Sequence, residues 1–218
     1  MLKRIDLSGA RRVFVVGDIH GSFSKLEKEL AKFDFDPDEG DHLLSVGDLV
    51  DRGPENLRAL EFLEYDWFHA IQGNHEEMHY NPRYASSLAI PQNGGRWAWD
   101  VDEDQYEYLQ KRFKELPVLM EVLTPSGKKI GLAHATYPGE RWDDAEDMAR
   151  YNKAHIVWDR QYLYGLLGDK TRQESVEGVD AIYYGHTPMK QPFSSGNQHW
   201  IDTGGTFEDG YFTIIEVT

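Results

Sequence analysis

The first half of the chain contains three short apolar runs. The runs VFVV at 13–16, HLLSV at 42–46 and WFHAIQ at 67–72 are rich in apolar, β-branched and aromatic side chains. Short runs of this kind, bounded by glycine or polar residues, are typical of buried strands. They predict three strands, separated by stretches long enough to form helices.

Helical periodicity occupies both stretches between these runs. Ser22 suits the N-cap of a first helix, whose apolar positions are Phe23, Leu26, Leu30 and Phe33. Pro54 suits the first turn of a second helix, whose apolar positions include Leu57, Leu60 and Leu63. Alternating strands and helices predict an α/β fold of βαβ units, with parallel pairing in a doubly wound sheet. Ligands of such sheets bind beyond the carboxyl ends of the strands.

The second half has a different pattern. Residues 81–100 are rich in turn-forming residues and predict a loop that covers the site. A helix is predicted from about Asp104 to Leu116, and the apolar runs that flank 125–127 predict a β-hairpin. The remaining expected elements are a helix near 155–166 and strands at 181–185, 199–201 and 211–217. Because no repeat or linker interrupts residues 1–218, we expect a single domain.

Composition and charge narrow the class of protein. Hydrophobic residues make up 40% and charged residues 28% of the 218 residues, which is ordinary for a globular chain. The net charge of −15 disfavours nucleic acid and anionic lipid as partners, because their binding depends on basic side chains. No signal peptide or membrane-spanning run is evident, and cysteine is absent, so we expect a cytoplasmic protein. The sequence does not determine the oligomeric state, and a monomer is slightly favoured.

Polar side chains follow five of the apolar runs directly. Carboxylate, imidazole and amide groups at strand ends would meet at one edge of the fold, and such donors suit Mn, Fe or Zn. Six donors exceed the number that one catalytic ion with an open position needs, so they predict two divalent ions that share a carboxylate. The candidate ligands are Asp18, His20, Asp48, Asn74, His134 and His186.

Further residues predict a phosphoryl-transfer site around these metals. His75 is adjacent to Asn74 and could protonate a leaving oxygen, with Asp51 as the carboxylate that orients it. A salt bridge between Asp51 and Arg52 is the structural alternative. Arg52 has the planar donor geometry that suits phosphate, whereas the residue pattern alone does not distinguish Arg160 from a surface arginine. With no cysteine nucleophile, we expect direct attack on phosphorus by a hydroxide held between the metals.

These sequence blocks resemble those of a known family. GDIHG at 17–21, GDLVDRG at 47–53 and GNHE at 73–76 are similar to the signature blocks of the phosphoprotein phosphatases, within the metallophosphoesterase superfamily. AHATYP at 133–138 and YGHTP at 184–188 resemble the two remaining histidine blocks. The resemblance extends nearly end to end and is greatest for the branch that contains the bacteriophage lambda serine/threonine phosphatase and its bacterial relatives.

The resemblance implies a calcineurin-like metallophosphoesterase fold in place of a single doubly wound sheet. This fold is a central β-sandwich of two mixed sheets flanked by helices. The implied cofactors are two divalent ions, most often manganese, and the implied substrates are phosphoserine and phosphothreonine proteins or peptides. The implied ligand sets are Asp18, His20 and Asp48 for the first metal and Asp48, Asn74, His134 and His186 for the second. The implied acid is His75 paired with Asp51, and the implied phosphate ligands are Arg52 and Arg160.

Other functions fit parts of the same pattern. A symmetrical dinucleoside tetraphosphate hydrolase shares the first two blocks, although Glu76 after GNH favours the protein phosphatases. A broad-specificity phosphoesterase that also accepts phosphotyrosine is a further alternative, and an inert binding scaffold would be expected to have lost ligands. Asp202 is a candidate partner of a metal ligand, and Trp158 with Tyr162 is expected in the core. The residues expected only at the surface or in packing are His42, His69, His79, His155 and His199.

Overall fold

The computed structural model describes residues 1–85, 89–169 and 171–217. The strands are β1 (Leu2–Asp6), β2 (Arg12–Val16), β3 (Asp41–Ser45), β4 (Phe68–Ala70), β5 (Leu119–Leu123), β6 (Lys129–Ala133), β7 (Ala181–Tyr184), β8 (Phe193–Ser195), β9 (Gln198–Trp200) and β10 (Ile214–Glu216). The α-helices are α1 (Phe23–Leu30), α2 (Arg58–Phe62), α3 (Asn74–Tyr80), α4 (Pro82–Ala85), α5 (Ala89–Gln92), α6 (Glu103–Glu115), α7 (Ala145–Tyr151), α8 (Lys153–Trp158) and α9 (Gln161–Gly168). Short 3₁₀ turns occur at Ala31–Phe33, Gly95–Asp100 and Trp142–Asp144.

The strands form two mixed sheets, as the family resemblance implies. One sheet has the order β10-β2-β3-β4, in which β2, β3 and β4 are parallel, as predicted, and β10 is antiparallel. The other has the order β1-β5-β6-β7-β9-β8 and contains the predicted hairpin of β5 and β6. The doubly wound arrangement is therefore wrong for the molecule, because β1 and most strands of the second half build a separate sheet, while β10 joins the first.

Strand β2 shows why the two sheets stack. Its apolar side chains point alternately to the two faces of the sheet. All of them are fully buried, so both faces of the strand are covered. Val13 and Val15 belong to a cluster with Met120 and Leu132 of the other sheet, which forms the interior of the sandwich. Phe14, on the opposite face, packs with side chains of α1 and α6. Burial on both faces explains why the strand reads as a continuous apolar run.

The larger sheet is covered on its outer face by α7, α8 and α9. Trp142, Ile156 and Leu163 are buried there against Ile182 and Trp200 of the sheet. The molecule thus has four layers, with helices outside each sheet and an apolar interior between the sheets. None of the described helices is both long and apolar enough to cross a bilayer.

Several local predictions differ from the structure. The second helix begins at Arg58, not near Pro54, and its buried side chains are Ala59 and Phe62. The helix expected near 155–166 is two helices separated at Asp159, so Trp158 and Tyr162 do not share one helical face, although both pack partly buried against the core. The sequence pattern also missed β1, β8 and α7. Within 81–100, α4, α5 and a 3₁₀ turn are present, and residues 86–88 lie outside the described residues.

Candidate metal centre

The two sheets bring their polar strand ends to one place. Asp18 follows β2, Asp48 follows β3, and the backbone N–H of His186, after β7, donates to both carboxylate oxygens of Asp18 at 3.1 Å. The glycine before His186 permits this approach, because a Cβ at Gly185 would lie 2.0 Å from Asp18 Oδ1. The convergence predicted from the strand ends is therefore present in the fold.

The backbone of the site is locally unusual. Among the described residues, six other than glycine have positive φ, and five of them belong to the candidate site. Such conformations cost free energy and persist where the surrounding structure enforces them, which is common at functional sites. The five residues are His20, Asp48, Asp51, Arg52 and His186.

The first group of candidate ligands surrounds the Nε2 atom of His20. This atom lies 3.8 Å from Asp18 Oδ2 and 3.7 Å from Asp48 Oδ2. The other ring nitrogen, Nδ1, lies 2.8 Å from the carbonyl oxygen of Val50. Because a carbonyl can only accept, Nδ1 carries the proton and Nε2 offers a lone pair toward the two carboxylates.

The second group shares Asp48. His134 Nε2 lies 3.4 Å from Asp48 Oδ1 and 3.0 Å from Asn74 Oδ1, while its Nδ1 donates to the carbonyl of Val46. His186 Nδ1 lies 2.7 Å from Asn74 Oδ1, and its Nε2 lies 3.3 Å from the carbonyl of Trp158. The ligand atoms of Asp48, His134 and His186 all lie within 4.8 Å of one another.

The pKa values of the buried candidate ligands indicate that the carboxylates favour a positive charge nearby. Burial raises the pKa of Asp18 well above its usual range, and the charges of Asp202 and Asp48 raise it further. Burial lowers the pKa of His134, but Asp48 overcomes this effect and raises the pKa to about 10. Burial lowers the pKa of His186 to about 3, with His134 as the next cause. A proton or a cation is thus favoured between Asp48 and His134.

The donor set fits a pair of divalent ions. Carboxylate, imidazole and amide oxygens with no thiolate suit manganese, iron or zinc. Asp202 Oδ2 is buried and has no hydrogen-bond partner among the described residues, while its Oδ1 accepts from the backbone of Gly204. Buried carboxylates that lack donors are costly unless a cation is near. The chemistry of the described residues is therefore that of a metal centre.

A histidine–carboxylate pair adjoins this centre. His75 Nδ1 lies 2.6 Å from Asp51 Oδ2, and both side chains are fully buried. His75 Nε2 faces the interior of the site, 3.8 Å from Asp48 Oδ2. The ligand atoms of His20, Asp48 and His75 also lie within 4.8 Å of one another, so His75 borders the first group. The Asp51–His75 pairing matches the predicted partnership, whereas no described ion pair joins Asp51 to Arg52.

A model of the calcineurin-like phosphoesterase family matches residues 11–190. The chain belongs to this family. Serine/threonine-protein phosphatase 1 of Salmonella typhimurium is 35% identical over 221 residues, which cover 99% of this chain and 96% of that protein. A symmetrical bis(5'-nucleosyl)-tetraphosphatase of Shewanella baltica is 48% identical, but over only 65 residues, 29% of this chain and 23% of that protein.

Solved structures agree on the fold of this calcineurin-like phosphoesterase. A protein serine/threonine phosphatase from Saccharomyces cerevisiae superimposes with a TM-score of 0.62 over 96% of this chain and 73% of that chain, at 15% identity. The resemblance to metallophosphoesterases and to bacterial serine/threonine phosphatases is confirmed. The protein is therefore a hydrolase of the metallophosphoesterase family.

An open cleft of about 360 Å³ leads to the calcineurin-like site. Arg52 and Arg160 line it together with His75 and His186. Arg52 Nη1 lies 2.5 Å from His20 Nε2, and Arg52 Nη2 lies 3.3 Å from His75 Nε2. Arg160 donates to the carbonyl of His186 at 3.2 Å and is otherwise exposed. Both predicted arginines thus border the cleft, with their charge beside the metal-ligand candidates.

Glu76 has a structural role that the sequence reasoning missed. Its carboxylate accepts from the backbone N–H groups of Asp48 at 2.9 Å, Leu49 at 2.7 Å and Gly73 at 2.8 Å. These bonds tie the loop after β3 to the start of α3. The signal was available, because a glutamate three residues after a helix N-cap commonly turns back to bind backbone donors.

His79, predicted to lie at the surface or in packing, is a packing residue that also contacts the candidate site, a role that the sequence pattern did not indicate. It is buried, and its Nε2 lies 2.8 Å from Asp51 Oδ1. Trp97 Nε1 donates to the same oxygen at 2.7 Å. No local pattern identifies these residues, because their partner lies 28 and 46 positions away in the sequence.

Proposed function

We propose that this protein is a metal-dependent phosphatase of phosphoserine and phosphothreonine proteins. One observation carries the proposal: two groups of candidate ligands share Asp48, and a buried histidine–carboxylate pair adjoins them. The near full-length likeness to a bacterial enzyme named as a serine/threonine phosphatase supports the choice of substrate. The expected partners are phosphoproteins or phosphopeptides.

Two divalent ions would be held by the side chains that converge at the strand ends. Asp18, His20 and Asp48 would hold one ion, and Asp48, Asn74, His134 and His186 would hold the other. When bound, the ions would supply Lewis-acid charge and activate water as the nucleophile. Manganese is the proposed metal, since oxygen and nitrogen donors suit it.

The protein's own residues would bind the phosphate and protonate the leaving group. Arg52 and Arg160 border the cleft and present planar donors that can bind phosphate oxygens. His75 would hold a proton at Nε2 for the departing alkoxide, because its Nδ1 is committed to Asp51. Asp51 would balance the charge of the protonated ring. Proton transfer of this kind contributes about 10²- to 10⁴-fold to a rate.

A second candidate is hydrolysis of symmetrical dinucleoside tetraphosphates. The local likeness to a bis(5'-nucleosyl)-tetraphosphatase favours it, since 65 residues are 48% identical. Glu76 argues against it, because the resemblance implies an aspartate after GNH in the nucleotide hydrolases, whereas this chain has a glutamate that accepts from three backbone N–H groups. The difference in coverage, 29% against 99% of the chain, also favours the protein phosphatases.

Parallel assays with manganese separate these candidates. The purified protein is given a phosphoserine peptide, a phosphotyrosine peptide, 4-nitrophenyl phosphate and diadenosine tetraphosphate at matched concentrations. We expect the largest kcat/KM for the phosphoserine peptide. A larger kcat/KM for the dinucleotide would replace the proposed substrate with the second candidate, and equal values across the esters would indicate a broad-specificity phosphoesterase.

A further inference from the structure

Asp51 accepts more hydrogen bonds than a simple histidine partner needs. Its Oδ2 lies 2.6 Å from His75 Nδ1, while its Oδ1 accepts from His79 Nε2 at 2.8 Å and from Trp97 Nε1 at 2.7 Å. The Asp51 side chain is fully buried. Both additional donors bind Oδ1. This arrangement holds the carboxylate in an orientation in which Oδ2 faces His75.

The orientation of His79 is fixed by its other ring nitrogen. His79 Nδ1 lies 2.8 Å from the hydroxyl of Tyr106. Burial, and after it the charge of Asp51, raises the pKa of Tyr106 to about 12, so the hydroxyl keeps its proton and can donate. With Nδ1 accepting from Tyr106, Nε2 carries the proton that points at Asp51. A chain of donors therefore runs from Tyr106 through His79 to the carboxylate.

Trp97 is held against Asp51 by the segment that was predicted to cover the site. This tryptophan lies in the 3₁₀ turn Gly95–Asp100. Just before that turn, Gly94 has a φ of +94°, and a Cβ there would lie 2.6 Å from the backbone nitrogen of Arg52. The backbone N–H of Arg52 also donates to the carbonyl of Gly94 at 3.4 Å. The segment thus packs directly on the Asp51–Arg52 loop.

We propose that His79 and Trp97 are positioning residues that orient Asp51 and, through it, His75. The inference rests on the proposed function, since it requires His75 to be the acid. His79 and Trp97 do not border the cleft that leads to the ligand cluster, so their effect on the reaction passes through the Asp51 carboxylate. The segment that contains Trp97 then serves proton delivery in addition to covering the fold.

A purely structural role would give a different pattern of defects. Loss of packing would lower the rates for all esters alike, or lower stability alone. Loss of orientation at the acid would lower the rate most for esters whose leaving group needs a proton. The dependence of kcat on the leaving group therefore separates the two roles.

The experiment compares Trp97→Phe, His79→Leu and His79→Gln with the parent protein, using phenyl phosphate and 4-nitrophenyl phosphate. Trp97→Phe keeps an aromatic ring and removes the N–H donor, whereas His79→Gln keeps an N–H donor. Trp99→Phe is the matched control, because Trp99 lies in the same turn and is 68% exposed. His75→Asn provides the reference for complete loss of the acid, and metal content is measured for each variant.

We expect Trp97→Phe and His79→Leu to lower kcat for phenyl phosphate about tenfold, with KM nearly unchanged. The rate with 4-nitrophenyl phosphate should fall less than twofold, and His79→Gln should restore part of the lost rate. In NMR spectra, the His75 ring proton bonded to Asp51 should shift in Trp97→Phe but not in Trp99→Phe. Should His79→Leu fail to fold, Trp97→Phe alone decides the question.

Equal losses for the two esters, or loss of metal from Trp97→Phe, would overturn the inference. If His75→Asn is selective for phenyl phosphate while Trp97→Phe and His79→Leu are not, the inference fails and the assignment of His75 stands. If His75→Asn is itself unselective or loses metal, the proposed role of His75 fails, and the inference fails with it.

Discussion

At the residue scale, the site depends on how each histidine ring is anchored. His20 and His134 each donate from Nδ1 to a backbone carbonyl, of Val50 and Val46 respectively, at 2.8 Å. The same geometry fixes the tautomer and directs Nε2 at Asp48. Since the carbonyls belong to the strand ends and loops that follow β3, the fold itself orients the candidate ligands.

Glu76→Gln tests how strongly a single side chain organises the loop after β3. The amide retains one acceptor oxygen, so it places an NH₂ group against a backbone N–H that the carboxylate had satisfied. We expect the free energy of unfolding to fall by about 2 kcal/mol, as measured by urea denaturation, together with a lower metal content. Glu39→Gln, at an exposed position, is the control. Unchanged stability in Glu76→Gln would show that the three backbone bonds contribute little.

At the element scale, the strand–helix alternation of residues 13–72 predicts the parallel sheet correctly. The apolar positions of β2 are buried on both faces, β3 and β4 are partly exposed only at His42 and His69, and a glycine before the polar residue marks each end. The hairpin of β5 and β6 was equally recognisable. By contrast, β1 and β8 were missed because neither has an apolar run; in β1 (LKRID), for example, Lys3, Arg4 and Asp6 are all exposed. The stacking of two sheets follows from long-range packing that no local pattern encodes.

Replacement of Gly185, which follows β7, tests how closely the two sheets approach each other at their strand ends. In Gly185→Ala, the new Cβ would lie 2.0 Å from Asp18 Oδ1 and 2.7 Å from Val46 Cγ2, so the carboxylate must move. We expect the affinity for metal to fall about 10- to 100-fold, measured by equilibrium dialysis, with the fold retained in circular dichroism. Gly168→Ala is the control, because a Cβ at that position would meet no atom of the described residues within 4 Å. Equal affinities in the two variants would contradict the close packing at this strand end.

Asp41, at the start of β3, binds Arg12 at the start of β2 and Arg11 just before it. Its buried carboxylate accepts from Arg11 Nε at 2.7 Å and from Arg12 Nη2 at 2.6 Å. Burial raises the pKa of Asp41, but the bonds to Arg11 and Arg12 dominate and hold it well below its usual value. Because the pKa is depressed in the folded state, the carboxylate stabilises the fold above the ordinary value of 3.8 and loses this effect as the pH falls through the folded value.

Asp41→Asn should therefore lower the free energy of unfolding by about 1.5 kcal/mol at pH 7, with a smaller difference from the parent protein below pH ~4. Urea denaturation of both proteins at several pH values between 7 and 2 measures the difference, because the loss occurs mainly below pH 3.8. A difference that stays constant or grows toward acid pH would contradict the assigned ion pairs.

At the scale of the whole molecule, a protein of net charge −15 must attract an anionic substrate. The cleft is locally positive, since Arg52 and Arg160 line it and the candidate ligands beneath it favour bound cations.

Removal of divalent ions with EDTA should abolish phosphatase activity and lower the midpoint of thermal unfolding, because ions that bind only the folded state stabilise it. Addition of manganese should restore both. Full activity after exhaustive chelation would contradict a metal-dependent mechanism.

Asp48 would hold two metal ions where the two sheets meet, because it belongs to both groups of candidate ligands. Anomalous diffraction from crystals grown with manganese tests it directly. We expect two anomalous peaks in contact with Asp48, one also bordered by Asp18 and His20 and the other by Asn74, His134 and His186. Fewer than two peaks against Asp48, or peaks bound only elsewhere, would contradict it.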